Sequence, residues 1–190
     1  MIQLKRNLKA QGKQAEQQVS FILRNLGSEY RVFDDVTLKT PKGTTQIDHV
    51  VISPYGVFVI ETKSHKGTII GNEDYKYWLQ LLKGGRYSFY SPFLQNYAHL
   101  KTLYKLFNLN YKYFLGLICF TSDSVNLYKC TCSRVVHISN LAQVIANYKT
   151  ILLSSNDIER LSYLLKTNSY NSKYMEQKHI KYVKSLQRKR

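Results

Sequence analysis

The sequence has 190 residues, of which 44% are hydrophobic, and it carries 28 Lys and Arg against 12 Asp and Glu, a formal net charge of +16. The length and apolar content predict one domain of ordinary size with a buried core. The charge favours a polyanionic partner, nucleic acid first and an anionic membrane surface second, although a biased residue usage alone would give the same balance.

Membrane insertion and secretion are not predicted. The longest apolar run, residues 113–120, is far shorter than the ~20 residues that span a bilayer. The N-terminus has no apolar signal segment, so we expect a cytoplasmic protein. Cys119, Cys130 and Cys132 show no disulfide spacing, which fits a reducing compartment. A zinc site formed by Cys130, Cys132 and His137 is an alternative that lacks a fourth ligand.

The chain begins with a pattern typical of a helix over residues 8–26, which Gly27 would end. Gly12, Glu16, Val19 and Leu23 share one stripe of this helix. A carboxylate in such a stripe needs a partner. Glu16 is therefore either a functional residue or an edge residue that reaches solvent or a Lys.

Three antiparallel strands are predicted next. Residues 30–39 form the first, with a bend at Asp34 and Asp35, and residues 41–43 form the turn that follows. Residues 46–63 form a hairpin around a turn at 53–56, where Pro54 presets one backbone angle and Gly56 accepts a positive one.

The hairpin register brings charged side chains together. If Ile52 lies opposite Val57, then Asp48 lies opposite Glu61, and Lys63 shares their face because strand side chains alternate. Like charges at opposed positions are destabilising, whereas a divalent cation would bind both carboxylates. The alternative is a surface salt-bridge ladder of the same three residues.

The second half of the chain alternates strands and helices. Strands are predicted at residues 67–71, 77–80, 86–90, 113–121 and 134–139, and Trp78 is expected to pack in a core. Ser91 and Pro92 are good starting residues for a helix over 92–107. Its expected apolar stripe consists of Phe93, Tyr97, Leu100, Tyr104 and Phe107. Two further helices are predicted, with caps at Ser139 or Asn140 and at Ser155 together with Glu159.

Gln95 lies in the first turn of the helix at 92–107, near the positive end of the helix dipole. From there its side chain could reach a phosphate or a metal-bound water. The alternative is a solvated glutamine at the start of a helix.

The last 22 residues, 169–190, form a basic tail that we separate from a domain at 1–168. The tail is either a solvated, frayed helix or a helix that contacts phosphates. Its candidate nucleic-acid-binding residues are Lys173, Lys178, Lys181, Lys184, Arg188, Lys189 and Arg190.

Several of these features together resemble the NERD (nuclease-related) domain of the PD-(D/E)xK, restriction-endonuclease-like superfamily. The resemblance covers roughly residues 8–122. It rests on Gly12 and Glu16, the hairpin string of residues 46–63, Gly67 and Gly71, and Ser91-Pro-Phe-Leu-Gln95. The sequence departs from the superfamily pattern in having no Pro before Asp48.

The resemblance implies an α/β fold with a restriction-endonuclease-like three-layer core, in which helices flank a central mixed sheet. It implies a Mg²⁺- or Mn²⁺-dependent nuclease, with DNA as the expected substrate. Asp48, Glu61 and the Thr62 backbone carbonyl would bind the ion, and Lys63, Glu16 and Gln95 would complete the catalytic residues. The alternative is a non-catalytic DNA-binding accessory protein on a degenerate nuclease fold. The oligomeric state stays open, a dimer included.

Overall fold

The structure, a computed structural model, describes residues 2–41 and 43–170. Within them the helices are α1 (Ile2–Arg24), α2 (Pro92–Phe107), α3 (Ile138–Ala146) and α4 (Ser155–Asn168). The strands are β1 (Arg31–Thr40), β2 (Gly43–Ser53), β3 (Gly56–Lys63), β4 (Gly67–Gly71), β5 (Tyr77–Leu82), β6 (Gly85–Tyr90), β7 (Phe114–Phe120), β8 (Val125–Cys130) and β9 (Val135–His137).

A five-stranded mixed sheet forms the centre of the fold, in the order β1-β2-β3-β7-β9. The predicted meander is confirmed, because β1, β2 and β3 pair antiparallel in chain order. Strand β7 joins β3 in parallel, and β9 joins β7 in parallel. The apolar run that becomes β7 therefore lies inside the sheet, as its uninterrupted hydrophobicity predicts.

Helices cover both faces of this sheet. Val57 and Val59 of β3 pack on one face against α2 and α4, while Phe58 and Ile60 pack on the other face against α1 and α3. The period of two along the strand creates these opposite faces. The predicted α/β class and three-layer arrangement are confirmed, and the architecture is compatible with a restriction-endonuclease-like core.

A second sheet of four strands, in the order β6-β5-β4-β8, follows the hairpin. Strands β4, β5 and β6 were predicted from the sequence, whereas β8, which pairs in parallel with β4, was not. Trp78 is fully buried, as expected, in a core shared with Ile118 and Phe120 of the central sheet. This core joins the two sheets.

Several predicted boundaries need correction. Helix α1 begins at Ile2 rather than at residue 8. His137, not Ser139 or Asn140, caps α3, since its side chain accepts a hydrogen bond from the Ser139 amide. Helix α4 has a capping box of Ser154 and Asp157, one residue ahead of the predicted Ser155.

The predicted stripe of α2 was only partly correct. Phe107 is buried as predicted, and Phe93 and Leu100 pack against the cores. The buried side chains of this helix are those of Pro92, Asn96, His99, Leu103 and Phe107. Tyr97, which the apolar periodicity placed in the core, is 44% exposed. The buried stripe includes an amide and an imidazole, which a search for apolar periodicity passes over.

No helix within residues 2–41 and 43–170 is long and apolar enough to cross a bilayer. The basic tail residues from Lys173 to Arg190 lie outside the described residues. The boundary between a domain at 1–168 and a tail at 169–190 therefore stays a prediction.

Candidate active site

The hairpin of β2 and β3 has the predicted register. Ile52 lies opposite Val57, and the ladder continues to His49 opposite Ile60. Gly56, at the turn, has a φ of +124°, and a Cβ there would lie 2.7 Å from the Tyr113 carbonyl oxygen. The turn thus requires glycine both for its backbone angle and for the close approach of the next segment.

Asp48 and Glu61 occupy the next positions along the hairpin beyond the pair of His49 and Ile60. Both lie on the face of the sheet that α2 covers. The backbone N–H of Thr62 donates to Oδ2 of Asp48 at 2.8 Å. Burial raises the pKa of Asp48 to about 7, with a further contribution from the negative charge of Glu61. The structure therefore brings the two carboxylates close enough to repel each other, which is the arrangement that the register predicts.

Lys63 neutralises one member of this pair. Its Nζ donates to Oε1 of Glu61 at 2.5 Å and to Oε1 of Gln95 at 3.1 Å. The Lys63 side chain is 16% exposed and that of Glu61 only 2%. Glu61, Lys63 and Gln95 are thus brought together, and the ammonium group is fixed between two acceptors at the rim of the core.

Sequence reasoning missed His99. Its Nε2 lies 3.2 Å from Oε2 of Glu61, and its Nδ1 lies 2.9 Å from Oγ1 of Thr45. Burial alone would raise the pKa of Glu61, but the hydrogen bond with His99 and the charge of Lys63 outweigh it, so the pKa is lowered. One available signal was the spacing of four between Gln95 and His99, which places both on one face of α2.

Glu16 approaches the site from the opposite layer. It is half-buried on α1, which packs on the other face of the sheet. Burial raises the pKa of Glu16, and the charges of Asp35 and Glu61 add to this, against a lowering by His49. Glu16 is therefore within electrostatic reach of the site, but within the described residues it forms no hydrogen bond with Asp48, Glu61 or Lys63.

Helix α1 is held over β2 by a polar cluster around Asp34. Oδ2 of Asp34 accepts hydrogen bonds from Ser20 and Arg24, while Oδ1 lies 2.8 Å from Nδ1 of His49. Burial on its own would raise the pKa of Asp34, but these three hydrogen bonds outweigh it and the pKa lies far below its ordinary value. The cluster fixes the position of α1, and with it that of Glu16.

The carboxylate oxygens of Asp48 and Glu61 fit a hard cation that keeps most of its water ligands. In the described part of the chain, no group of three or more His, Cys, Asp and Glu side chains is arranged to hold a metal ion. The alternative zinc site of Cys130, Cys132 and His137 is included in this finding. Mg²⁺, however, is commonly bound by only one or two carboxylates together with water and substrate phosphates. Asp48 and Glu61 supply such a pair, although Glu61 already binds Lys63 and His99.

Comparisons with known proteins agree with these features. The model of a family described as NERD, nuclease-related domain, matches residues 11–121. A protein of Bacillus anthracis described as uncharacterized is 32% identical over 186 residues, which cover 92% of this chain and 84% of the relative. A search of solved structures found no significant match. The matched region contains the hairpin, Glu16, Gln95 and His99.

Proposed function

The chain belongs to the NERD family of nuclease-related domains, and on this basis we propose that it is a metal-dependent nuclease that hydrolyses phosphodiester bonds, with DNA as the expected substrate. One observation carries the proposal. Asp48 and Glu61 lie close together on one face of the sheet, and Lys63 is hydrogen-bonded to Glu61 beside them. A stable fold does not need two repelling carboxylates here, whereas phosphodiester hydrolysis uses such a pair.

The carboxylates of Asp48 and Glu61 would hold Mg²⁺ or Mn²⁺, with the Thr62 carbonyl as a further candidate ligand. When bound, the ion supplies Lewis-acid stabilisation of the phosphoryl oxygens and a water of lowered pKa. The raised pKa of Asp48 in the metal-free protein supports this assignment, because a cation would relieve the repulsion that contributes to the shift.

We assign to Lys63 the roles of orienting the attacking water and of contacting the phosphate. Its ammonium group is positioned by Glu61 and Gln95, so it loses little rotational freedom when substrate arrives. A fixed positive charge at that point would stabilise the negative charge that develops on the phosphoryl oxygens. Gln95 is therefore a positioning residue for Lys63 in this proposal.

Glu16 has a less direct role in this proposal. It would either help to place a second ion or restrain Lys63 when substrate is bound. The influence of Glu61 on the pKa of Glu16 supports a position near the site.

A cleavage assay tests the proposal. The wild type and Lys63→Ala are incubated with supercoiled, linear and single-stranded DNA and with RNA, each in Mg²⁺, Mn²⁺ or EDTA. We expect wild-type cleavage that requires metal and that Lys63→Ala lacks. Equal cleavage in EDTA, or by both proteins, contradicts the proposal. Binding without cleavage under every condition supports the non-catalytic alternative.

A further inference from the structure

The second sheet has an outer face on which two tyrosines are exposed. Tyr77 and Leu79 of β5 are 55% and 37% exposed, and Tyr90 of β6 is 48% exposed. The intervening residue Trp78 is fully buried, and Phe89 packs beside it. Because strand side chains alternate, one face of β5 and β6 belongs to a core and the other faces solvent.

Cross-strand register defines this surface, which we call the tyrosine face. Tyr77 lies opposite Tyr90, Leu79 opposite Ser88, and Leu81 opposite Arg86. In the adjoining strands, Ile70 lies opposite both Leu79 and Lys129. The tyrosine face therefore consists of Thr68, Ile70, Tyr77, Leu79, Leu81, Arg86, Ser88, Tyr90, Asn126 and Lys129.

The two tyrosine rings form an edge-to-face pair. Their centroids lie 6.1 Å apart at an interplanar angle of 80°. Nζ of Lys76 lies 5.5 Å from the centroid of Tyr77. Half-exposed aromatic rings beside cationic groups offer flat apolar surfaces to a partner that carries both rings and negative charge.

The charge of the tyrosine face is positive. Its ionisable residues apart from the tyrosines are Arg86 and Lys129, and none of its ten positions is Asp or Glu. The loop before β5 contains the acids Glu73 and Asp74, and Glu73 accepts hydrogen bonds from the backbone N–H and the hydroxyl of Ser133. A polyanion is thus the complementary partner.

The tyrosine face adjoins the start of α2. The backbone N–H of Ser91 donates to the Lys76 carbonyl at 3.0 Å, and Ser91 is the N-cap of α2. Gln95, in the first turn of that helix, binds Lys63. Tyr90 therefore lies five residues before Gln95, so the tyrosine face and Lys63 are connected through the start of α2.

We propose that the tyrosine face is a stacking platform for single-stranded nucleic acid. This proposal depends on the proposed function only because both take nucleic acid as the partner. The platform does not require cleavage. Bases of a single strand can stack on exposed rings, whereas the bases of a duplex are already stacked on each other. Arg86 and Lys129 would then contact the backbone of the bound strand.

Binding measurements in EDTA, where the proposed nuclease is inactive, test this platform. The full chain is titrated into fluorescein-labelled single-stranded DNA, single-stranded RNA and duplex DNA of about 15 nucleotides or base pairs, a length typical of single-strand binding sites. The test variant combines Tyr77→Thr and Tyr90→Thr, because threonine keeps a high β-propensity. Tyr163→Ala, which removes a tyrosine that is 68% exposed on α4, is the matched control.

We expect the double variant to bind single strands at least about tenfold more weakly, and duplex DNA with less than a twofold change. Its salt dependence should match that of the wild type, because no charge is removed. Arg86→Ala should instead lower the salt slope by roughly one unit. A double variant of Tyr77→Phe and Tyr90→Phe should bind as the wild type does, since phenyl rings also stack.

Three outcomes would overturn the platform. The first is unchanged single-strand affinity in the threonine variant, and the second is an equal loss for duplex and single strand. The third is that light scattering shows a dimeric wild type and a monomeric threonine variant, while both bind single strands with equal affinity. Should the threonine variant melt early, the single variants Tyr77→Thr and Tyr90→Thr replace it, and unchanged single-strand affinity in both overturns the platform. A protein that cleaves DNA but fails these tests keeps its proposed function and loses only the platform.

Discussion

Asp48 and Glu61 extend the register of the β2–β3 hairpin, and the charge of Glu61 adds to the burial that raises the pKa of Asp48 to about 7. A tight turn fixed by Gly56 determines this register. The same backbone that stabilises the core therefore places two carboxylates where they repel.

The first prediction is that Asp48→Asn stabilises the metal-free protein above neutral pH. The folded-state pKa of Asp48 is about 7, against an ordinary value of 3.8. Between those values the folded state binds more protons than the unfolded state, so wild-type stability falls as pH rises and stays low above 7. Asparagine removes this loss and keeps an acceptor for Thr62. The loss is at most about 4.5 kcal/mol, since each pKa unit corresponds to about 1.4 kcal/mol.

Thermal melts in EDTA from pH 4 to pH 8 measure this effect. The two proteins should melt alike at pH 4 and diverge towards pH 8, and Asp48→Asn should lose most of the stabilisation that Mg²⁺ or Mn²⁺ gives the wild type. If Asp48→Asn instead melts several degrees below the metal-free wild type at pH 8, Asp48 has a structural partner and the metal assignment fails.

The hairpin was predictable because its signals are local. The alternation of apolar residues in β2 and β3 and the turn chemistry of Pro54 and Gly56 fix the pairing without reference to the rest of the chain. The positions of Asp48, Glu61 and Lys63 on one face then follow from counting residues outward from the turn. Gln95 depended on the family resemblance, because a glutamine at the start of a helix has no distinctive pattern of its own.

The buried stripe of α2 was not predictable in the same way. Asn96 and His99 are nearly fully buried because β-strand carbonyls and Glu61 supply partners from elsewhere in the fold. Nδ2 of Asn96 donates to the carbonyls of Val59 and Leu117, which joins α2 to β3 and β7. Such partners are distant in sequence, so apolar periodicity selected Tyr97 in error.

The second prediction concerns His99, which positions the buried carboxylate of Glu61. His99→Ala should lower kcat of the proposed nuclease by roughly 10- to 100-fold with little change in KM, since groups that orient a metal ligand commonly have effects of this size. His99→Gln, which retains an N–H donor, should restore part of the rate. Steady-state kinetics with an oligonucleotide substrate measure both parameters.

The control for this test is Tyr97→Ala, on the same helix but exposed, which should leave both kinetic parameters unchanged. If His99→Ala and His99→Gln lose the same activity, and only in proportion to their loss of folded protein, His99 is structural and does not orient Glu61.

The third prediction tests the packing that joins the two sheets. A Cβ added at Gly71 would lie 2.2 Å from Cδ2 of Trp78, whose indole N–H is bound to the Asn72 carbonyl. Gly71→Ala should therefore destabilise the fold by about 1–3 kcal/mol, since the indole cannot move freely in its core. Chemical denaturation measures the change.

Gly84→Ala, in the turn between β5 and β6 of the same sheet, is the matched control, because a Cβ there meets nothing nearer than Tyr87 Oη at 3.9 Å. Its stability should stay within about 0.5 kcal/mol of the wild type. Equal stability of the two alanine variants would show that Trp78 is less firmly held than its burial indicates.

The last prediction concerns the basic tail, where Lys173, Lys178, Lys181, Lys184, Arg188, Lys189 and Arg190 are the candidate phosphate-binding residues. Deleting residues 173–190 should weaken nucleic-acid binding and reduce its salt slope by roughly one unit for each phosphate that the tail neutralises. The fold should survive, because α4 ends at Asn168 and the Tyr170 amide is hydrogen-bonded to the Thr37 carbonyl. A full-length variant in which those seven residues are changed to Gln separates charge from length. An unchanged salt slope in both proteins, with unchanged melting temperatures, would show that the tail binds no phosphates.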